Sequence, residues 1–225
     1  DALSQLRALS GSGVSLASVG GWADEIAQLR PETFRLHFVN IPADATSYLH
    51  SRDCCPSDAG DCIVAAISRY ESVLSDPSRP SEERGEALRF LVHLVADAHQ
   101  PLHCIDLDDG GSLTEVTFFG VPTTLHQIWD VGLIERMGYD WGRTVDELQR
   151  RIAVGSMVVP DATDPALWVE ESHRAAVTVA FGLPHDRLLD DDYVNRALPV
   201  LEERLAAGGV RLAAVLARAL AAGSG

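Results

Sequence analysis

The stretch LVHLVADAHQPLH, residues 91–103, constrains this chain more than any other. Its apolar residues are dense enough to demand burial, yet it carries three histidines and an aspartate. On a helix, His93 and Asp97 lie one turn apart and about 40° round the axis, so they share a face. Phe90, Leu94 and Ala96 flank that face and turn it inward. Pro101 ends the helix, so a helix is expected from about Ser81 to His99. His99 falls about 240° round from His93 and is the weakest ligand candidate of the three. His103 comes from the loop that leaves the helix.

The same spacing recurs in TTLHQIWD, residues 123–130, where His126 and Asp130 are flanked by Trp129 and Leu133. A buried carboxylate must be neutralised. The chain has no lysine, and all 18 of its basic residues are arginine, so arginine or a metal ion must do it. Asp24 in GWADE sits beside Trp22 and Ile26 on an apolar helix face, and His37 lies between Leu36 and Phe38. One such His-Asp pair is ordinarily an internal hydrogen bond. Two pairs with His103, Asp24 and His37 exceed what packing needs. Imidazole and carboxylate are preferred zinc ligands. Seven candidates are too many for one ion, which points to a cluster suited to phosphoryl chemistry. His50, His99, His173 and His185 are read as surface or core residues.

The net charge of −15 excludes a protein that wraps duplex nucleic acid by displacing counterions, but not a phosphate site served by metal ions. No apolar run is long enough to cross a bilayer. No secretory leader is visible, which fits a mature or a cytosolic chain. Cys54, Cys55 and Cys62 share the polar loop SRDCCPSDAGDC, and Cys104 stands apart. Cys54–Cys62 and Cys55–Cys62 pairings are both open, as are free thiols; the spacing does not favour a zinc knuckle. There is no N-glycosylation sequon.

Helical signals dominate. Helices are expected over 22–30, stopped by Pro31, and from about Asp61 to Ser75. A third is expected from Thr123 or Thr124 through Met137. Others start at a Thr144/Glu147 capping box and at Asp164-Pro165, the latter closing at Gly182. Residues 191–220 read as two helical pieces broken at Gly208-Gly209, followed by a frayed tail. Residues 33–43 look extended or irregular, and EVTFFG (115–120) is half of a hairpin.

The blocks WADE, RPET with LHFVNIP, ALRFLVHLVADAHQPLH, GGSLTEVTFFG and TTLHQIWD, in that order, resemble the zinc-dependent nucleases of the S-one/P-one type. The likeness continues through WVEESHRAA and DDYV to AGGVRLA, nearly the whole chain. It implies an all-α, phospholipase C/nuclease-like domain over residues 1–225 with one small β-hairpin. It implies three zinc ions: Asp24, His37, His93 and Asp97 on the first, His103, His126 and Asp130 on the second, and Asp97 bridging to the third. Family members hold the third ion through an N-terminal tryptophan and a Gly-His. That segment is not matched from Asp1 onward, so two sites are complete here. Asp24 and Asp97 are the implied catalytic residues.

The implied activity is hydrolysis of single-stranded DNA or RNA and 3′-nucleotides through a metal-bound hydroxide, leaving 5′-phosphate products. Phe38 stands where the family stacks a base, core packing being the other reading, and Asn40 replaces a base-reading aspartate. Ala27 replaces a phosphate-directed arginine, for which Arg30 is the nearest substitute. The resemblance further implies a secreted or periplasmic monomer with no protein partner. A zinc phospholipase C of the same fold and a non-catalytic nucleotide-binding module are the alternatives.

Overall fold

The computed structural model describes residues 2–11, 13–54, 61–138, 140–160 and 162–222. Helix α1 (Ala2–Ser10) is followed by α2 (Trp22–Leu29), a 3-10 segment (Pro31–His37), α3 (His50–Asp53), α4 (Ile63–Ser75) and α5 (Ser81–Asp97). A short 3-10 turn (Pro101–Cys104) leads to the hairpin β1 (Glu115–Phe118) and β2 (Val121–Thr124). Helix α6 (Leu125–Gln127) runs through a π-turn (Ile128–Gly132) into α7 (Leu133–Arg136). Then come α8 (Trp141–Ala153), α9 (Pro165–Ala175) with a π-turn extension (Ala176–Ala180), β3 (Leu188–Leu189) and α10 (Asp191–Ala222). The fold is mostly helical with one small sheet, in the order β2-β1-β3. The expected hairpin is β1–β2; β3, parallel to β1, was not foreseen.

Several boundaries differ from the expectations. Residues 31–37 wind into a 3-10 segment because Pro31 presets its first turn and the Thr33 hydroxyl donates to the Arg30 carbonyl. Helix α5 ends at Asp97, not His99; the chain tightens there, with the His99 and Gln100 amides donating to the Ala96 and Asp97 carbonyls. Helix α8 starts at Trp141, capped by Asp140 accepting from the Arg143 amide, so Thr144 lies inside it. Glu147 pairs with Arg150 instead of closing a capping box.

The largest correction is α10, which runs unbroken through Gly208-Gly209 and past Pro199. Glycine costs a helix about 1 kcal/mol, but this helix is pinned at both ends. Its first half, through Tyr193, Ala197 and Leu201, belongs to a core shared with Leu102, Leu125, Trp129 and Ala180. Its second half, through Val215, Leu216 and Leu220, belongs to a core built on Ile67, Leu74, Leu91 and Leu94 of α4 and α5. Ala221 and Ala222 of the expected tail are helical; the remainder lies outside the described residues. Breaking α10 in the middle would separate the two cores, and a cleft opens between them.

Cys54 and Cys62 form a disulfide, with Cα atoms 5.1 Å apart, and Cys104 is a buried free thiol. Cys55 lies outside the described residues. The bond closes a loop with a sequence separation of 8. A loop that short contributes about 2–3 kcal/mol by chain entropy. Replacing both cysteines by alanine is expected to lower the urea-unfolding free energy by that amount, and an unchanged midpoint would show the bond to be energetically idle.

Candidate metal centre in the cleft between the two cores

Two clusters of imidazoles and carboxylates face one cleft of about 960 Å³. The first is assembled from three elements of one core. Helix α5 supplies His93 and Asp97 on adjacent turns, with His93 Nε2 3.0 Å from Asp97 Oδ2. The 3-10 segment ends on His37, whose Nδ1 lies 3.0 Å from His93 Nε2 and 3.1 Å from Asp97 Oδ2. Helix α2 brings Asp24, with Oδ1 3.4 Å from His93 Nε2 and 3.6 Å from His37 Nδ1. Ligands of a tetrahedral zinc, each about 2.0–2.1 Å from the ion, are about 3.3 Å from one another. These donor spacings match that figure, so the residues fit the ion.

The second cluster stands on the other core. His103 comes from the Pro101–Cys104 turn, His126 from α6 and Asp130 from the π-turn. His126 Nε2 is 3.2 Å from Asp130 Oδ2, and His103 Nε2 is 3.9 Å from Asp130 Oδ1. The wider π-turn sets where Asp130 points, a use of π-turns common at functional sites. Asp97 lies between the clusters, its Oδ1 3.8 Å from His103 Nδ1.

The outer ring nitrogens carry the clearest signature. His93 Nδ1 bonds the Gly20 carbonyl, His103 Nδ1 the His37 carbonyl at 2.9 Å, and His126 Nδ1 the Gly110 carbonyl at 2.8 Å. A carbonyl can only accept, so each Nδ1 carries a proton and Nε2 is the atom turned to the cluster, its lone pair open to a metal ion whenever the ring is neutral. Histidines that hold metals are oriented in this way. His37 differs: its Nδ1 turns inward, and its Nε2 is buried without a hydrogen-bond partner among the described residues.

The electrostatics also call for a cation. Burial works against a charge on His93, but the Asp24 and Asp97 carboxylates outweigh it and push the imidazolium up to about 11. Burial likewise opposes ionisation of Asp97, yet His103, His37 and His93 hold it well below the usual carboxylate range. His126 is raised and Asp130 lowered by their mutual contact, again against burial. Positive charge is needed at both centres, and a proton or a metal ion can supply it.

All nine candidate residues, Asp24, His37, Phe38, Asn40, His93, Asp97, His103, His126 and Asp130, are gathered in or against this cleft. Two differ in setting from the inward-facing expectation: Asp24 is 67% exposed and Asp130 39% exposed, because both sit at the cleft rim, not in a core. Arg30 is not available for phosphate, since it pairs with Glu86 at 2.9 Å and with Glu32. His99 touches the cleft edge, but its nitrogens are taken by the Val95 carbonyl and Arg211. Burial keeps it neutral, with its pKa lowered to about 4.

Two contributors were missed. Gln100 donates to Asp130 Oδ1 at 2.7 Å while its other end caps the Pro101 turn, a double use that no spacing announces. Gly110 adopts φ +58°, and a Cβ there would lie 2.5 Å from the Leu102 carbonyl oxygen. Only glycine fits the position that holds His126. Gly110→Ala is expected to cost about 1–3 kcal/mol in stability. It should also weaken zinc binding at the second cluster more than at the first, as read by calorimetric titration.

A helical domain with two imidazole–carboxylate clusters on one cleft defines a class of proteins built round candidate metal sites. Comparison with known sequences places it further. A family model described as S1/P1 Nuclease matches residues 1–221. Endonuclease 2 of Arabidopsis thaliana is 33% identical over 225 aligned residues, covering 90% of this chain and 77% of that protein. Nuclease S1 of Aspergillus oryzae is 31% identical, with 89% of this chain and 78% of that protein covered. Nuclease P1 of Penicillium citrinum is 30% identical, with 95% and 88% covered. The chain belongs to the S1/P1 nuclease family.

Proposed function

We propose that this chain is a zinc-dependent phosphodiesterase that cleaves single-stranded DNA and RNA, and 3′-nucleotides, at the P–O3′ bond. Internal cuts then leave 5′-phosphate ends. The observation that carries this reading is the pair of imidazole–carboxylate clusters on one cleft, linked by Asp97 and by the His37 carbonyl. Asp24, His37, His93 and Asp97 would hold one ion, and His103, His126 and Asp130 a second, with Asp97 reaching toward a third. Four of these seven donors are imidazoles, a set that suits zinc over magnesium or calcium. Zinc, when bound, lowers the pKa of water and stabilises charge on phosphoryl oxygens.

The chain's own residues do the rest. The Gly20, His37 and Gly110 carbonyls keep the ligand lone pairs aimed inward. Asp24 turns Oδ1 into its cluster, and the exposed remainder of its carboxylate can accept a proton from water in the cleft. Phe38 is half-buried on the cleft wall, where its ring can stack an unpaired base. Stacking is tolerant of base identity, and a base already stacked in a duplex cannot use it. Asn40, exposed beside it, offers a donor and an acceptor to a base edge.

A secreted or periplasmic location is the cellular reading, supported by the Cys54–Cys62 disulfide. Among the described residues no helix is long and apolar enough to cross a membrane.

The test is hydrolysis of a 5′-labelled single-stranded oligonucleotide by the zinc-loaded chain, alongside its duplex form, a 3′-nucleotide and phosphatidylcholine. Cleavage of the single strand and the 3′-nucleotide, lost on chelation and restored by zinc, is the expected result. Turnover of phosphatidylcholine alone would replace the nuclease reading by a phospholipase, and nucleotide binding without turnover would make the chain a binding module.

A further inference from the structure

The cleft round the two clusters is short of free positive charge. Among the described residues lining it, Arg204 is the one permanent cation. Arg204 is 5% exposed and bonded to Glu171 at 2.7 Å and Glu203 at 2.8 Å. Four carboxylates, Asp24, Asp97, Asp109 and Asp130, line the same space. Arg30 is engaged by Glu86, and the chain carries a net charge of −15. Proteins that track a single strand line their groove with lysine and arginine to hold successive phosphates. Among the described residues, nothing of that kind lines this cleft.

Aromatic surface is present instead. Phe34, in the 3-10 segment, and Phe38, in the extended residue just after it, both line the cleft, with ring centroids 5.5 Å apart and planes at 72°. Phe34 is 62% exposed, far more than a ring that merely braces its neighbour. Rings at that angle form a corner: a base stacked on one face presents its edge to the other.

Resting on the nuclease reading, we infer that the cleft takes one unpaired nucleotide at a time, held in the Phe34–Phe38 corner. It makes no electrostatic grip on the phosphates flanking the scissile one. Short oligonucleotides are then handled as well as long strands, and turnover depends little on salt. Phe34 is a specificity-determining residue of this corner.

The experiment compares kcat/KM per cleavable bond for a thymidine trinucleotide and an oligothymidylate of about 30 nucleotides, with the zinc-loaded chain, from about 20 to about 200 mM sodium chloride. The expected result is agreement between the two substrates within about threefold and a log–log salt slope no steeper than about −0.7, the value for one phosphate contact on a single strand. A long-strand advantage above about tenfold, with a slope of about −2 or steeper, would mean three or more phosphate contacts and overturn the inference. Phe34→Ala is expected to lower kcat/KM on both substrates by about five- to tenfold, the range for losing part of a base stack, with Phe34→Trp restoring it. An unchanged kcat/KM in Phe34→Ala would overturn the corner. Hydrolysis of neither substrate by the unmodified chain would overturn the nuclease reading and this inference together, whereas a steep salt slope leaves the nuclease standing.

Discussion

Asp97→Asn is expected to abolish hydrolysis, by about a thousandfold or more, while the protein stays folded. Asp97 is the carboxylate of the first group that lies toward the second. Its Oδ2 lies 3.0 Å from His93 Nε2 and 3.1 Å from His37 Nδ1, and its Oδ1 faces His103 at 3.8 Å. Asparagine keeps the shape but removes the charge. It also turns one ligand oxygen into an NH₂ group that can only donate. That group would either be repelled by a metal ion or donate to an imidazole lone pair and so occupy a nitrogen the ion needs, and either outcome weakens the centre. A thousandfold loss corresponds to about 4 kcal/mol of transition-state stabilisation, within reach of a lost ligand at a charge-stabilising centre. The measurement is single-turnover hydrolysis of a single-stranded oligonucleotide, together with zinc per chain by elemental analysis. At least one ion should be lost with the activity. Retention of more than a tenth of the rate would remove Asp97 from the centre of the mechanism.

How much of this was legible beforehand depended on what kind of physics placed each residue. His93/Asp97 and His126/Asp130 were readable because a four-residue spacing is a property of the helix itself. Their surroundings were not. Nothing in IWDVG announces a π-turn, since an extra residue per turn is settled by what packs against it. Here that includes Phe118, 3.1 Å from where a Cβ on Gly132 would stand. The break expected at Gly208-Gly209 rested on a local cost of about 1 kcal/mol per glycine, and two cores outweigh it. The exposure of Asp24 and Asp130 could not be foreseen either, because an apolar helix face can end at a cleft rim as readily as in a core. The Cys54–Cys62 pairing needed the distance between α3 and the start of α4, which sequence does not contain.

Glu171→Gln is expected to cost about 3–5 kcal/mol of stability at neutral pH, the range for removing one partner of a buried ion pair. Glu171, on α9, takes Arg204 Nη1 and Arg211 Nη1 on Oε2, both at 2.7 Å, and Arg211 Nη2 on Oε1 at 2.9 Å. The two guanidiniums are 5% and 3% exposed, and both belong to α10. Glutamine would leave two buried positive charges facing each other across a neutral amide. Partial burial opposes ionisation of Glu171, but Arg211 and Arg204 outweigh it and hold the carboxyl below its ordinary value. A carboxylate depressed in the folded state contributes stability that is complete above its unfolded pKa, about 4.3. That contribution is lost as pH falls through the folded value. The gap between the original and Glu171→Gln should therefore be full at pH near 7 and shrink below pH about 4, where the original also loses the charge. Urea unfolding of both proteins across that range measures it. A gap under about 1 kcal/mol at neutral pH would mean that water already reaches the guanidiniums. Arg204 lines the cleft and Arg211 bonds His99, two residues beyond Asp97. This buried cluster therefore ties α10 to the end of α5 beside the candidate metal centre. A lowered zinc affinity in Glu171→Gln, with all seven candidate ligands intact, would show that the helix spanning both cores is what holds the two halves of the site in register.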